Sequence, residues 1–154
     1  MRTKTTGTRG LKQRTLPWFL KATNISLFTI IKSTHSMINS TLKKFHYPES
    51  LVKTYQHWHV LLRPGQITLG SLVLVCKENI DSCSDMSVSA AAEKKIIIEH
   101  IETVLKNKLA YSKINYLTLM MVDPLVHTHV IPRYEQDIDY KGNTFSDVNW
   151  PMPP

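Results

Sequence analysis

The 154-residue sequence has only two cysteines and no long apolar run. Cys76 and Cys83 are too few for a disulfide framework and do not form a zinc-type pair, so we expect free thiols and a reducing, cytoplasmic compartment. No stretch reaches about 18 consecutive apolar residues, and the sequence therefore predicts no membrane-spanning helix.

Acidic residues are absent from residues 1–48, which carry nine Lys or Arg, and the first acid is Glu49. Residues 49–154 contain ten Lys or Arg against twelve acids, so the formal net charge of +7 comes from the N-terminal third. A charge confined to one end says little about what the folded part binds. The sequence also lacks aromatic residues interleaved with basic ones, and we therefore do not expect nucleic-acid binding.

Residues 1–36 are rich in Thr, Ser, Lys and Arg and show little helical periodicity. This composition is typical of a presequence for a mitochondrion or another organelle, and it also fits a disordered extension translated from upstream of a start at Met37. Both interpretations leave residues 1–36 outside the fold. We expect residues 37–154 to form a single domain.

The hydropathy pattern after Met37 predicts an α+β domain. The predicted elements are a short helix (38–45), two antiparallel strands (55–62 and 71–77), a long helix, two more strands (114–122 and 125–133) and an acidic, irregular tail. Apolar residues at helical spacing from Val88 to Leu109 define the long amphipathic helix, and its N-cap candidates are Ser82, Ser84 and Asp85. The apolar run 114–122 predicts a strand that is covered on both faces or lies at a subunit contact.

His127 and His129 are two residues apart on a predicted strand, so both side chains point to the same face, with Arg133 farther along. A neutral imidazole can act as a nucleophile or base near pH 7, and an arginine stays charged, so this face suits an anionic substrate. Taken alone, this pair of histidines is also consistent with a strand that has one buried and one surface histidine and no functional role. With His57 and His59 it further fits a metal site of four imidazoles.

The segment Val126–Arg133 resembles the C-terminal signature of the histidine-triad (HIT) family, in which three histidines alternate with apolar residues and Pro-Arg often follows. Residues 58–75 resemble the first hairpin of that family, where a glycine-containing loop leads into an apolar strand. The resemblance covers residues 47–133, with the long helix between the two motifs. It implies a HIT-like α+β fold, a homodimer and a nucleotide substrate.

By this resemblance His127 is the nucleophile that attacks the α-phosphate of a nucleotide, and His129 binds and orients the phosphate. Leu125 stands at the position of the first histidine; its side chain cannot bind phosphate, but its carbonyl can still orient the His127 ring. The further substrate-binding candidates are Arg63, Gly70, Ser71 and Arg133, although Arg63 stands where many members carry Asn or Asp and Ser71 where they often carry His. For Arg133 the sequence leaves open a structural ion pair with an acid of the tail.

The implied activity is nucleotidyl hydrolysis or transfer through a nucleotidyl-histidine intermediate, which divides one difficult step into two easier ones. It requires no resident cofactor or metal, although a divalent cation such as Mg²⁺ can accompany the substrate. We expect His127 to face outward into a phosphate-sized hollow built partly from the hairpin at Gly70. The alternative is a non-catalytic nucleotide-binding or interaction protein with the same fold.

Overall fold

The computed structural model describes residues 40–154. The expected extension 1–36 and the first residues of the predicted short helix lie outside this range. The described chain starts in a helix over residues 40–44 (α1), and a turn over residues 45–50 follows it. Between residues 40 and 154, no helix is long and apolar enough to cross a bilayer.

A five-stranded antiparallel sheet forms the centre of the fold, in the order β1-β2-β3-β5-β4. Its strands are β1 (Leu51–Thr54), β2 (Trp58–Leu62), β3 (Leu72–Cys76), β4 (Lys113–Leu117) and β5 (His127–Arg133). The tail forms a separate hairpin of β6 (Ile138–Tyr140) and β7 (Asn143–Phe145), where the sequence predicted irregular structure. The predicted α+β class is confirmed. Both β1 and the tail hairpin escaped prediction because such short, mostly exposed strands carry no alternating pattern.

The long helix α2 (Val88–Leu109) has 22 residues and begins later than the predicted caps. Its N-cap is Ser87, whose hydroxyl accepts a hydrogen bond from the Ala90 amide at 3.1 Å. Of the predicted candidates, Ser82 instead caps a 3₁₀ turn over Cys83–Asp85. Two helix caps therefore follow one another in this polar stretch, and the second, Ser87, which directly precedes the apolar residues at helical spacing, starts the long helix.

The side of the sheet that α2 covers holds the larger hydrophobic core. Its buried residues are Trp58, Val60, Leu72, Leu74, Cys76, Ile97, Ile101, Leu105, Tyr111, Val126, Val130 and Tyr134. The indole nitrogen of Trp58 donates a hydrogen bond to the Ala90 carbonyl at 2.9 Å, which anchors the start of α2 on β2. We refer to this side as the helix face.

The predicted strand 114–122 ends at Leu117, and its remaining residues leave the sheet. Met121 is 95% exposed and Val122 is 80% exposed, so the run is not covered on both faces. The strand β4 lies at the sheet edge, and the chain must reverse from it into the adjacent β5. The end of the apolar run is therefore used for the connection between the two strands.

The opposite side of the sheet, here called the histidine face, is covered only in part. Val75 pairs with His59 on one side and with His127 on the other, and Val73 pairs with His129, so these side chains share one face. A small apolar cluster lies over part of it, made of Leu42, Phe45, Leu61, Val73, Val75 and Leu125. Leu42 of α1 and Phe45 of the following turn cover only part of this face, and a cavity remains beside the histidines.

Candidate active site

His127 is oriented by the main chain two residues before it. Its Nδ1 lies 2.7 Å from the carbonyl oxygen of Leu125. A carbonyl can only accept a hydrogen bond, so the neutral ring carries its proton on Nδ1 and its lone pair on Nε2. The Leu125 side chain is fully buried in the apolar cluster and takes no part in this contact. The orientation of His127 therefore depends on the main chain of Leu125 and not on its side chain.

The Nε2 atom of His127 is buried and has no hydrogen-bond partner. It lies 3.8 Å from Oδ2 of Asp123, and the Phe45 ring centroid is 5.8 Å from that of His127. The ring is itself fully buried, and it lines a partly open space under α1 and the β4–β5 connection.

That space is a cavity of about 330 Å³. Its polar lining residues are Lys44, Arg63, Asp123, His127 and His129, and its apolar lining residues are Phe45, Leu119, Met121 and Val122. Two permanent cations face one carboxylate, so the lining carries a net positive charge with neutral histidines. Such a cavity favours an anionic ligand.

Unpaired polar atoms converge on this cavity. Five buried side-chain nitrogen or oxygen atoms lack a hydrogen-bond partner in residues 40–154, and three belong to its lining: Nε2 of His127, Nδ1 of His129 and Nε of Arg63. Leaving a buried polar group unpaired costs about 1–3 kcal/mol, so native proteins seldom collect them in one place. Their convergence indicates a site for a polar ligand.

His129 is held in its neutral form. Burial, together with smaller contributions from His127 and Arg63, lowers its pKa to about 4. Its ring packs edge-on against His127 with centroids 5.2 Å apart. At neutral pH His129 therefore offers one N–H donor to an anion without adding a charge.

This fold is similar to several solved structures of HIT proteins. A HIT protein from Sinorhizobium meliloti has a TM-score of 0.59 at 22% identity, with 74% of this chain and 75% of that chain covered. A hypothetical HIT nucleotide-binding protein from Sulfolobus tokodaii has a TM-score of 0.55 at 19% identity, with 70% and 72% covered. The chain has the histidine-triad fold.

A third HIT-fold structure is the diadenosine triphosphate hydrolase of Plasmodium falciparum, solved with cyclomarin A. It has a TM-score of 0.54 at 12% identity, with 68% of this chain and 86% of that chain covered. No protein-family model matches the chain, and no curated protein matches its sequence. At these identities the similarity establishes the HIT fold and leaves the chemistry to be argued from the residues themselves.

Within the HIT fold of this chain, Gly70 and Ser71 lie outside the cavity. The Ser71 hydroxyl donates to the Thr68 carbonyl at 2.8 Å. Gly70 has φ +84°, and a Cβ there would lie 2.6 Å from a methyl carbon of Leu109. Because β3 runs antiparallel to β5 and Val75 pairs with His127, the hairpin end of β3 lies toward the far end of β5. The hollow expected at Gly70 is therefore formed elsewhere, by α1 and the β4–β5 connection.

Arg133 also lies away from the cavity, at the opposite end of β5. Its Nε and one terminal nitrogen donate to the Asp147 carboxylate at 2.5 and 3.0 Å, and that terminal nitrogen also donates to the Met152 carbonyl at 2.8 Å. Of the two alternatives for Arg133, the structure shows the ion pair with the tail. Arg63, in contrast, lines the cavity.

His57, which precedes β2, and His59 on β2 do not join His127 and His129 in a metal site. His59 places Nδ1 3.1 Å from the Thr54 hydroxyl, and His57 lies 3.4 Å from a Glu78 carboxylate oxygen. His59 and His127 pair with opposite sides of Val75, so a whole strand separates them. Over residues 40–154, no group of three or more His, Cys, Asp or Glu side chains is placed to hold a metal ion.

Lys44, Phe45 and Asp123 are among the cavity residues that sequence reasoning missed. The first two follow one another at the end of α1, and the third belongs to the β4–β5 connection, 79 positions after Lys44. No local pattern links these segments, because they meet only through the order of the strands.

Proposed function

We propose that this chain is a HIT-family nucleotidyl hydrolase or transferase that acts at the α-phosphate through a nucleotidyl-His127 intermediate. The observation that carries the proposal is the oriented His127 ring, whose Nε2 lone pair is unpaired in a cavity with a net positive charge. The substrate class is a nucleoside 5′-phosphate ester, anhydride or phosphoramidate.

In the first step Nε2 of His127 attacks phosphorus in line. The phosphorus–nitrogen bond forms as the bond to the leaving group breaks, and the leaving group departs with its electron pair. The ring becomes positively charged, and the Leu125 carbonyl stabilises that charge through Nδ1–H. Water, or another acceptor in a transferase, then attacks phosphorus and releases the nucleoside monophosphate or its conjugate with the ring restored.

The charge on the phosphoryl oxygens requires fixed donors. Arg63 and His129 supply them in this proposal, because each lines the cavity and has a buried side-chain nitrogen without a partner. Gly70, Ser71 and Arg133 are left out of the substrate site because they lie elsewhere. A Mg²⁺ ion enters the proposal only as a companion of the substrate phosphates.

We propose a homodimer as the working state. The strand β4 is an edge strand, and the chain that follows it exposes Leu119, Met121 and Val122 beside the cavity. A second copy of the chain would cover such apolar groups. Measurement of the solution mass by light scattering tests this directly, and a monomer at micromolar concentration would contradict it.

For the compartment we propose the cytoplasm, with an organelle as the alternative if residues 1–36 act as a presequence. The two cysteines are unpaired, one buried and one exposed, as suits a reducing environment.

A second candidate function is nucleotide binding without catalysis. The Asp123 carboxylate favours it, since a negative charge 3.8 Å from Nε2 keeps a phosphate bound elsewhere in the cavity from the close approach to that nitrogen which the reaction needs. Leu125 favours it as well, because its side chain gives no hydrogen bond to a leaving group. Both candidates share the cavity, and turnover separates them.

The deciding experiment compares His127→Gly with the matched control His59→Gly in release of nucleoside monophosphate. Diadenosine polyphosphates and nucleoside phosphoramidates serve as substrates. We expect His127→Gly to lower the rate by about 10⁴-fold or more, as removal of a nucleophile does. His59→Gly alters the same sheet face outside the cavity, so its rate should stay near that of the unchanged protein.

Mass spectrometry of the quenched reaction should find a nucleotidyl adduct on His127. Binding of AMP without any turnover would favour the second candidate function. An undiminished rate in His127→Gly would exclude the proposed mechanism.

A further inference from the structure

The ammonium group of Lys44 and the carboxylate of Asp123 form an ion pair at the mouth of the His127 site. Nζ of Lys44 lies 2.8 Å from Oδ2 of Asp123, and the same oxygen is 3.8 Å from Nε2 of His127. The Asp123 side chain is only 11% exposed, whereas that of Lys44 is 47% exposed. The carboxylate is thus fixed inside the cavity, and the lysine reaches it from the solvent side.

The Asp123 oxygen occupies space that a reacting phosphate needs. A nucleophile and the atom it attacks must come within about 3–3.5 Å before the reaction, and phosphoryl oxygens surround that phosphorus. An oxygen 3.8 Å from Nε2 therefore lies where part of a phosphoryl group would lie. The two anionic groups also repel each other, so the carboxylate has to move aside when a phosphate binds.

We propose that Lys44 is a phosphate-binding residue, which Asp123 holds until a phosphate binds and then releases to the substrate phosphate. The inference rests on the proposed function, because it assumes a phosphate-bearing ligand next to His127. The carboxylate accepts from Lys44 the hydrogen bond that a phosphoryl oxygen accepts after binding. Lys44 then adds a donor to those of Arg63 and His129.

A merely structural role for Lys44 predicts a different pattern of effects. If the lysine only neutralises the buried Asp123 charge, its removal matters while the carboxylate is present and has no effect once the carboxylate is gone. If the lysine binds phosphate, its removal weakens binding in both backgrounds. The double substitution therefore separates the two roles.

The test measures AMP binding by titration calorimetry at neutral pH and low salt. The variants are Lys44→Met, Asp123→Asn and their combination, with Lys44→Arg as the conservative replacement and Lys43→Met as the matched control. Lys43 precedes Lys44 on α1 and does not line the cavity. Thermal unfolding of each variant verifies that it is folded.

We expect Asp123→Asn to tighten AMP binding by about tenfold, because a like charge leaves the site. In that background Lys44→Met should weaken binding by about 10- to 100-fold, the range for a hydrogen bond to a charged group. Lys44→Arg should retain most of the affinity, and Lys43→Met should change nothing.

Equal affinities of Asp123→Asn and the double variant would overturn the inference, as would an Asp123→Asn variant that binds no more tightly. Either result leaves the proposed function standing if His127→Gly still abolishes turnover. The expected affinities together with undiminished turnover in His127→Gly would support the phosphate site and exclude the proposed reaction. Absence of AMP binding in every variant would overturn both.

Discussion

The two faces of the sheet are built by the same strands and differ in how completely their groups are satisfied. Twelve buried residues pack into one core on the helix face, and the Trp58 indole there has its hydrogen bond. The apolar cluster of the histidine face has six, and three unpaired nitrogen atoms lie beside it. The helix face therefore supplies stability, while the histidine face gives up stability to keep donors free for a ligand.

The largest effect we expect is the loss of stability in Arg133→Met. Arg133 lies on β5, like the triad histidines, but its guanidinium is paired with Asp147, and both side chains are almost fully buried. Burial alone would raise the pKa of Asp147, yet hydrogen bonds from Arg133 and the Tyr134 amide outweigh it and lower the pKa. Removing one partner of such a pair typically costs about 3–5 kcal/mol of unfolding free energy, which urea denaturation measures.

The counterpart of that substitution is Arg63→Met, at the arginine that lines the cavity. Its Nε has no partner to lose, so folding stability should be kept. The rate of nucleoside monophosphate release should fall by about 10²- to 10³-fold, as when one donor to a developing anion is removed. A loss of stability in Arg63→Met, or a stable Arg133→Met variant, would break the distinction between paired and unpaired arginines.

A smaller effect is expected from Leu125→His, which places a histidine at the first triad position. The Leu125 side chain is buried among Phe45, Val73 and Val75, and it contributes only its carbonyl to the site. An imidazole without a partner in this cluster should lower the unfolding free energy by about 1–3 kcal/mol. The control Leu125→Met keeps the volume and should cost less than about 1.5 kcal/mol. Equal stability of the two variants would show that this part of the histidine face is already open to water.

The smallest effect concerns pH and His129. In the folded protein its pKa is about 4, against about 6.5 in an unfolded chain. Between these values the unfolded chain binds the proton more readily, so stability should fall as pH is lowered from about 6.5 toward 4. The substitution His129→Gln should flatten this part of the profile of Tm against pH. An unchanged slope would mean that other groups control acid stability.

The sequence pattern was sufficient to predict those features that depend on residues close together in the chain. Helical spacing gave the extent of α2, and the period of two along β5 put both triad histidines on one face. The contact that orients His127 through the Leu125 carbonyl is also local, because the two residues are only two positions apart in the chain.

The parts that sequence missed depend on register and strand order. The pairing of Val75 with His127 moves the Gly70 hairpin away from the cavity, and no composition signal encodes that register. Lys44 and Asp123 meet only because α1 covers the histidine face close to the β4–β5 connection. The apolar run after Leu117 was misjudged for the same reason, because whether it is covered depends on elements distant in the chain.

Thr128 has a consequence for how the site can change shape. It lies between the two histidines on β5, and its hydroxyl receives a hydrogen bond from Lys94 at 2.9 Å and contacts the Thr118 hydroxyl at 3.0 Å. The strand β5 is hydrogen-bonded to β3 on one side and to β4 on the other, and Lys94 of α2 holds it from the helix face. The strand that carries His127 is thereby held in place, and we expect any displacement needed to admit a ligand to fall on the opposite wall of the cavity.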